Sequence, residues 1–288
     1  MPRPVCITYD STCDLTPQLL ERFQIRTVPL TIQSGERVFA DDGQYTSADL
    51  YADYRRNGTL PKTAAVSPEE FKNFFLPILE EGYDIVHIDI SSELSCTCQN
   101  AVLAAQELAE QGRVYVVDSR QLSTGGGLLA LQGAKLRDSG MDAADVAEEL
   151  RGLASCGDTS FVLDTLEYMW KGGRCSGVAA LGANVLKLKP CLEMREGKLV
   201  VCKKYRGAMG KVYRQYIIER LAGKTVVEDH AFITHSGEVS EDTLRELTEL
   251  VRELAPFKEV FITQAGCTVS SHCGPGTLGV LFLRQPAQ

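Results

Sequence analysis

The chain has 288 residues, enough for two hydrophobic cores, and its 44% hydrophobic and 24% charged content is typical of a globular protein. Its 30 basic and 38 acidic residues give a formal net charge of −8, which disfavours a nucleic-acid partner and leaves room only for transient contact with an anionic membrane. No apolar run approaches the ~18 residues of a spanning helix, and the N-terminus lacks the apolar core of a signal peptide. We therefore expect a cytoplasmic protein.

The first half of the chain repeats a strand followed by a helix. The strand sequences are apolar and rich in β-branched residues, and they read PVCITY, YDIVHIDI and RVYVVDS. Nearly continuous apolar strands that alternate with helices are typical of a parallel sheet covered on both faces. The sequence therefore predicts an α/β fold whose N-terminal domain, residues 1–156, is doubly wound and mostly parallel.

Each of these three strands ends in a polar cluster. The clusters are Asp10-Ser11, Ser91-Ser92 and Asp118-Ser119. Ligands of open α/β sheets bind where strands end and helices begin, but Ser and Asp are also the residues that cap helices. Taken singly, each cluster is better explained by capping.

The second half, residues 157–288, has a different order of elements. Two strands are joined at Arg195-Glu196-Gly197-Lys198, where Gly197 suits a positive φ. A helix around 208–222, a strand HAFITHS, a helix with a leucine stripe and the strands KEVFIT and TLGVLFLR follow. This order predicts a second α/β domain with a mixed or antiparallel sheet and helices on one side.

Several common binding and catalytic motifs are absent from the sequence. The ten cysteines read as reduced thiols, and neither Cys96 and Cys98 nor Cys267 and Cys273 have a common zinc spacing. The segment IIERLAGKT has Ile218 where a phosphate-binding loop needs glycine. The chain also has no dinucleotide fingerprint, nucleophile elbow or zinc-protease motif. We expect no metal and no cofactor.

Two hydroxyl-bearing loops precede predicted helices. Ser67-Pro68-Glu69-Glu70 has the composition of a helix start, which accounts for Ser67 and leaves Thr63, in the loop before it, free to contact a ligand. A second helix is predicted to begin near Ser95. Its first N–H groups could bind an anion without a charged side chain, although Ser95 could equally be a cap.

Two further candidates lie in the second half. Arg174 follows two glycines and precedes a segment rich in small residues, from Ser176 to Leu188, which favours tight helix packing or the close approach of a ligand. His272 lies before a Gly-Pro-Gly turn, on what we expect to be a loop. From the residues alone it is either an incidental surface histidine or part of an anion site.

Seven segments in the same order resemble the DegV family of bacterial fatty-acid-binding proteins. They run from ITYDSTCDLT to HCGPGTLGVLF, through TAAVSPEEF, SSELSCTCQNA, VVDSRQLSTGGG, KGGRCSGVAALGANVLKLKPCLEMREGKL and KYRGAMGK. The resemblance implies a lipid-presenting subunit of a fatty acid kinase, with a long-chain fatty acid in an apolar tunnel between two domains. A separate kinase would phosphorylate the carboxylate, giving an acyl phosphate for phospholipid synthesis, and this chain would not catalyse a reaction alone.

The resemblance also implies roles for five residues. Thr63 and Ser95 would bind the fatty-acid carboxylate, helped by the backbone N–H of Cys96, while Arg174 and His272 would lie at the mouth, near the carboxylate and the transferred phosphate. Cys96 and Cys98 stand where the family usually has Gly and Tyr, and TAAVS replaces the usual TSQPS. These departures leave the ligand's identity more open than its class.

Two other functions remain open from the sequence. An acyl hydrolase or transferase would use Ser95 or Cys96 as nucleophile and His272 as base, but no acid that would orient the histidine can be identified. A sugar or dihydroxyacetone phosphotransferase would carry a phosphohistidine at His272.

Overall fold

A computed structural model describes residues 3–175 and 188–285. Within these ranges there are thirteen strands: β1 Val5–Asp10, β2 Ile25–Val28, β3 Thr31–Ser34, β4 Arg37–Ala40, β5 Lys62–Ala64, β6 Asp84–Asp89, β7 Val114–Asp118, β8 Gly157–Val162, β9 Leu188–Arg195, β10 Lys198–Arg206, β11 Val226–His235, β12 Glu259–Gln264 and β13 Leu278–Arg284.

The same ranges contain ten α-helices: α1 Pro17–Phe23, α2 Ser47–Asn57, α3 Pro68–Glu80, α4 Thr97–Glu107, α5 Thr124–Asp138, α6 Ala143–Leu153, α7 Glu167–Gly172, α8 Met209–Leu221, α9 Glu241–Leu254 and α10 Cys267–Cys273. None of the helices in the described part of the chain is long and apolar enough to cross a membrane.

The predicted parallel sheet is confirmed, in the order β2-β1-β6-β7. Side chains along a strand point alternately to opposite faces, and in β1 Ile7 and Tyr9 pack with residues of α5 and α6, whereas Cys6 packs with residues of α3 and α4. The sheet is therefore covered on both faces, which explains its nearly continuous apolar strands.

A six-stranded mixed sheet forms the second half, in the order β10-β9-β8-β13-β11-β12. Its neighbouring strands are antiparallel except β11 and β12, which are parallel. The predicted hairpin turn is confirmed at Glu196 and Gly197, whose φ angles are 52° and 82°. Both φ angles are positive, as in the type I′ turn that matches strand twist.

Helix α5 lies between the two large sheets. Phe232 and Leu281 of the mixed sheet pack into the same cluster as α5, while their neighbours Ile233 and Val280 pack towards α8 and α9. The mixed sheet thus has its own helices on one face and a helix of the first half on the other. The four-stranded sheet ends at residue 118 and the six-stranded sheet begins at 157, while the domain boundary after residue 156 stays a prediction.

A small antiparallel sheet, β4-β3-β5, was not predicted from the sequence. Its strands have only three or four residues, and β4 and β5 are largely exposed, so the sequence shows no clear apolar alternation there. This sheet positions Thr63, which lies in β5 opposite Ile32.

Two candidate sites lie at helices. Helix α4 begins at Thr97 with Cys96 as its N-cap, two residues after Ser95 and close to where the sequence predicts it. His272 lies in α10, not on a loop, and the Gly-Pro-Gly turn begins after the helix ends. Of the small-residue segment from Ser176 to Leu188, residues 176–187 lie outside the described ranges.

Candidate functional site

A cavity of about 360 Å³ is lined by all five residues to which the resemblance gives a role. It lies where segments of both halves of the chain meet, and most of its lining is apolar. The lining residues are Leu30, Thr63, Ala65, Ile90, Leu94, Ser95, Cys96, Leu122, Met169, Arg174, Leu199, Thr268, Val269, His272 and Cys273. A concave apolar site with a few polar groups is typical of a pocket for a small amphipathic ligand.

Thr63 and His272 meet at the wall of the cavity. Thr63 Oγ1 lies 3.2 Å from His272 Nε2, although the two residues are 209 positions apart. Burial, with a smaller effect of the Arg174 charge, lowers the pKa of His272 to about 4. The imidazole of the ligand-free protein is therefore neutral at pH 7.

The surroundings of the second ring nitrogen indicate where the imidazole carries its proton. Nδ1 of His272 is buried and has no hydrogen-bond partner among the described residues. It packs against Gly172, where an added Cβ would lie 2.2 Å from Nδ1. A buried N–H without an acceptor is costly, which favours the tautomer protonated at Nε2. His272 then donates to Thr63 Oγ1, and the Thr63 hydroxyl proton is left for another acceptor.

Ser95 and Cys96 lie at the start of α4. Ser95 Oγ accepts a hydrogen bond from Thr97 N at 3.2 Å and lies 2.7 Å from Thr97 Oγ1, so its predicted capping role is present. Cys96, the N-cap residue, makes no side-chain hydrogen bond to the helix. The positive end of the α4 dipole thus faces the same cavity as Thr63 and His272.

Arg174 is an exposed member of the cavity wall. Its Nη1 donates to the carbonyl oxygen of Gly172 at 2.8 Å, which holds the guanidinium beside the residue that packs on His272. The guanidinium therefore lies at the solvent side of the site, where it lowers the His272 pKa through its charge.

Two carboxylates that were not predicted from the sequence hold α10. Asp14 accepts from Gly266 N at 2.8 Å, and Asp41 accepts from the backbone N–H groups of Cys267 and Thr268 at 2.8 and 3.0 Å. Both belong to the first half of the chain. No local signal marks the start of α10, because its capping groups are more than two hundred residues away.

The polar clusters at the strand ends have structural roles. Asp10 is fully buried and accepts from Thr12 N and Ile90 N. Ser91 donates to the carbonyl of Gly197, and Ser92 donates to Asp118. None of these side chains lines the cavity. They hold in place the loops that contribute Ile90, Leu94 and Leu122 to its lining.

The described residues also bear on two other kinds of chemistry, metal binding and acyl transfer. No group of three or more His, Cys, Asp or Glu side chains in ranges 3–175 and 188–285 could hold a metal ion. Nε2 of His272 contacts Thr63, and the Oγ of Ser95 contacts Thr97. Ser95 and His272 thus each have another partner, and no hydrogen bond among the described residues joins Ser95 or Cys96 to His272 in the way that a nucleophile–base pair requires.

Comparisons with known proteins cover almost the whole chain. A family model described as "Uncharacterised protein, DegV family" matches residues 4–285. A Thermotoga maritima protein named "Fatty acid-binding protein" is 29% identical over 280 residues, 96% of each chain. A DegV family protein from Thermus thermophilus, whose structure is described by its fatty acid binding, is 31% identical with a TM-score of 0.87, covering 98% of this chain and 99% of that one.

A more distant structure has the same fold. The Streptococcus pneumoniae fatty acid kinase (Fak) B3 protein, loaded with linoleic acid, is 23% identical with a TM-score of 0.83, covering 97% of this chain and 99% of that one. At this identity the similarity shows the shared fold alone.

Proposed function

The chain belongs to the DegV family, and from that premise we propose that it binds a long-chain fatty acid in the cavity between its two halves. The acyl chain occupies the apolar part, and the carboxylate lies against Thr63, Ser95 and the backbone N–H of Cys96. The observation that carries the proposal is the contact between Thr63 and His272 at the wall of an otherwise mostly apolar cavity.

The apolar lining supplies the affinity in this proposal. Burial of one methylene contributes about 0.8 kcal/mol, so some fourteen methylenes contribute roughly 11 kcal/mol before the costs of association, which are about 4–15 kcal/mol. A tail of that length therefore gives useful affinity only if the carboxylate at its polar end loses little free energy when it leaves water.

The polar lining meets that condition. A carboxylate buried without partners would offset much of the gain from the tail. With Nε2 of His272 donating to Thr63, the Thr63 hydroxyl can donate to a carboxylate oxygen, and the α4 N-terminus adds N–H groups and a favourable dipole. These groups suit one anionic head group and need no metal.

We further propose that the bound carboxylate is presented to a separate ATP-dependent kinase. Arg174, on the solvent side, is placed to offset the charge of the phosphoryl group as it passes from ATP to the carboxylate, with ADP as the other product. The sequence has no phosphate-binding loop, which is consistent with a partner that brings the nucleotide. The acyl phosphate would then pass to phospholipid synthesis.

The direct test of binding is extraction of the native ligand. Freshly purified protein is denatured, and the extract is analysed by mass spectrometry. We expect a long-chain fatty acid in near-equimolar amount, and delipidated protein should take one up again. A protein that neither releases nor binds a fatty acid would rule out the proposal.

The head-group assignment is tested with Thr63→Val, which keeps the β-branched shape and removes the hydroxyl. We expect at least about tenfold weaker fatty-acid binding, since one hydrogen bond to a charged group contributes about 1.5–3 kcal/mol. Thr31→Val is the matched control, because Thr31 lies in the same small sheet, paired with Ala64, and does not line the cavity. Equal affinities of the two variants would refute the role of Thr63.

Kinase-coupled phosphorylation tests the second part of the proposal. Thr63→Val and Ser95→Ala should both lower the rate of acyl phosphate formation by a cognate kinase, and Thr31→Val should not. If wild-type protein binds a fatty acid but the cognate kinase does not phosphorylate the bound carboxylate, the binding proposal stands and the presenting role is removed.

A further inference from the structure

We propose that Cys191 and Cys202 are a redox-active pair that forms a reversible disulfide with low-molecular-weight disulfides such as oxidised glutathione. This modification site is separate from the lipid cavity and does not depend on the proposed function. It would join the neighbouring strands β9 and β10 of the mixed sheet.

The strand register places the two residues side by side. Val201 pairs with Leu192 and Lys203 pairs with Cys191, so Cys202 is an extra residue that forms a β-bulge. In a bulge two residues on one strand lie opposite one residue on the other, and here both Cys202 and Lys203 face Cys191. The Sγ atom of Cys202 lies 3.4 Å from the carbonyl oxygen of Cys191.

The two thiols differ in exposure. Cys191 is buried with 3% of its surface exposed, whereas Cys202 is exposed to solvent. A soluble oxidant can therefore reach Cys202 first, and the buried Cys191 lies beside it on the neighbouring strand. Oxidation in two steps, first at the exposed sulfur and then by its buried neighbour, follows from this arrangement.

The thiols also differ in acidity. The interaction between the two neighbouring thiols lowers the pKa of Cys202, and the same interaction together with burial raises the pKa of Cys191. The guanidinium of Arg220 contributes to lowering the Cys202 pKa, while the carboxylate of Glu193 opposes it. Because the thiolate is the nucleophile in disulfide exchange, Cys202 is the attacking residue.

The exchange balances without any other reactant. The thiolate of Cys202 attacks one sulfur of oxidised glutathione, forms a mixed disulfide and expels one glutathione thiolate. Cys191 then loses its proton and attacks the Sγ of Cys202, which expels the second glutathione. Two protein thiols are oxidised, and one small disulfide is reduced to two thiols.

The pair lies on the side of the mixed sheet away from the cavity. Cys191 packs with Val162, Tyr205 and Tyr216, whereas its neighbour Leu192 packs with the residues around the cavity. Oxidation should therefore leave fatty-acid binding unchanged within about twofold, which separates this test from the test of lipid binding.

The experiment uses the folded, full-length protein. Reduced protein is incubated with oxidised glutathione, quenched with an alkylating agent and analysed as intact mass and tryptic peptides. We expect the loss of two hydrogen masses and a cross-link between the peptides that contain Cys191 (188–195) and Cys202 (199–203), both reversed by dithiothreitol.

Three variants assign the reaction to the pair. Cys96→Ser removes the other exposed thiol and should still form the Cys191–Cys202 cross-link. Cys202→Ser should lose the reaction, and Cys191→Ser should retain one glutathione on Cys202. A wild-type protein that stops at the mixed disulfide, leaves Cys202 unmodified or cross-links another pair would overturn the proposal. Because Cys202 is exposed, its serine variant should fold even if the Cys191 variant does not.

Discussion

His272 lies with one ring nitrogen on Thr63 and the other packed against Gly172. In this position the imidazole is uncharged at neutral pH, since burial and Arg174 lower its pKa to about 4. A fatty-acid carboxylate bound nearby would favour the imidazolium and raise that pKa, while the buried Nδ1, which would take the added proton without an acceptor, limits the rise. In the proposed function, fatty-acid binding and proton uptake by His272 are therefore coupled.

The coupling predicts a pH dependence of affinity. Between pH 4 and the higher pKa of the complex, the complex holds one proton more than the free protein, so binding strengthens as the pH falls, by at most about tenfold per pH unit. The dissociation constant should be measured by fluorescence competition from about pH 8 to about pH 5, so that the range reaches the window just above the free-protein pKa of about 4. In the wild-type protein the affinity should rise as the pH falls. In His272→Gln, whose side chain keeps a donor but does not titrate, the affinity should depend less on pH.

The glutamine variant also serves as the control for other titrating groups. Burial raises the pKa of Asp10 to about 7 and that of Asp14 to about 8, so both carboxyls change charge in the same pH range. Both remain in His272→Gln, and only the difference between the two proteins reports His272. Identical slopes would contradict the predicted coupling.

Among the elements, α10 places His272 and is itself placed by distant residues. It has seven residues, too few for stability in isolation, and its first N–H groups are bound by Asp14 and Asp41. The sequence shows Gly266 and the Gly-Pro-Gly turn but not these partners, which is why the segment was expected to be a loop.

The capping contacts predict the effect of Asp41→Ala. Two buried backbone N–H groups would lose their acceptor, at a cost of about 1–3 kcal/mol each. We expect a loss of about 2 kcal/mol or more in the free energy of unfolding, measured by denaturant titration, and weaker fatty-acid binding because α10 shifts.

Asp42→Ala is the matched control for this change. Asp42 is adjacent and exposed, and it accepts hydrogen bonds only from Gln44 in the same turn among the contacts that the structure describes. Its loss should cost less than about 0.5 kcal/mol. If the two alanine variants unfolded at the same denaturant concentration, the capping role assigned to Asp41 would be wrong.

The elements differ in how far the sequence could predict them. The strands β1, β6 and β7 are apolar runs followed by helices, and that pattern is sufficient for a parallel sheet. The capping box of Ser67 and Glu70 is local and was also predictable. The small sheet around Thr63 could not be predicted, because strands of three or four residues are too short to show an apolar period and depend on tertiary pairing.

At the scale of the whole molecule, the cavity is lined by residues from both halves of the chain. Leu122, from the loop before α5, and Val269 and Cys273, from α10, line the cavity. The same three residues also line a second, apolar cavity of about 20 Å³ on their other side. They form a wall between the two spaces, built by both halves of the chain.

This wall is expected to limit the length of the acyl chain. Val269→Ala would remove part of the wall and join the cavities, so that additional methylenes become buried. Each would contribute up to about 0.8 kcal/mol, or about fourfold in affinity. Competition with a series of saturated fatty acids should show the affinity optimum moving to longer chains.

Val251→Ala is the matched control, at a fully buried position in α9 outside both cavities. It should lower stability by a similar amount and leave the optimal chain length unchanged. If the two variants keep the same optimum, residue 269 does not set chain length, and the acyl chain must end elsewhere in the cavity.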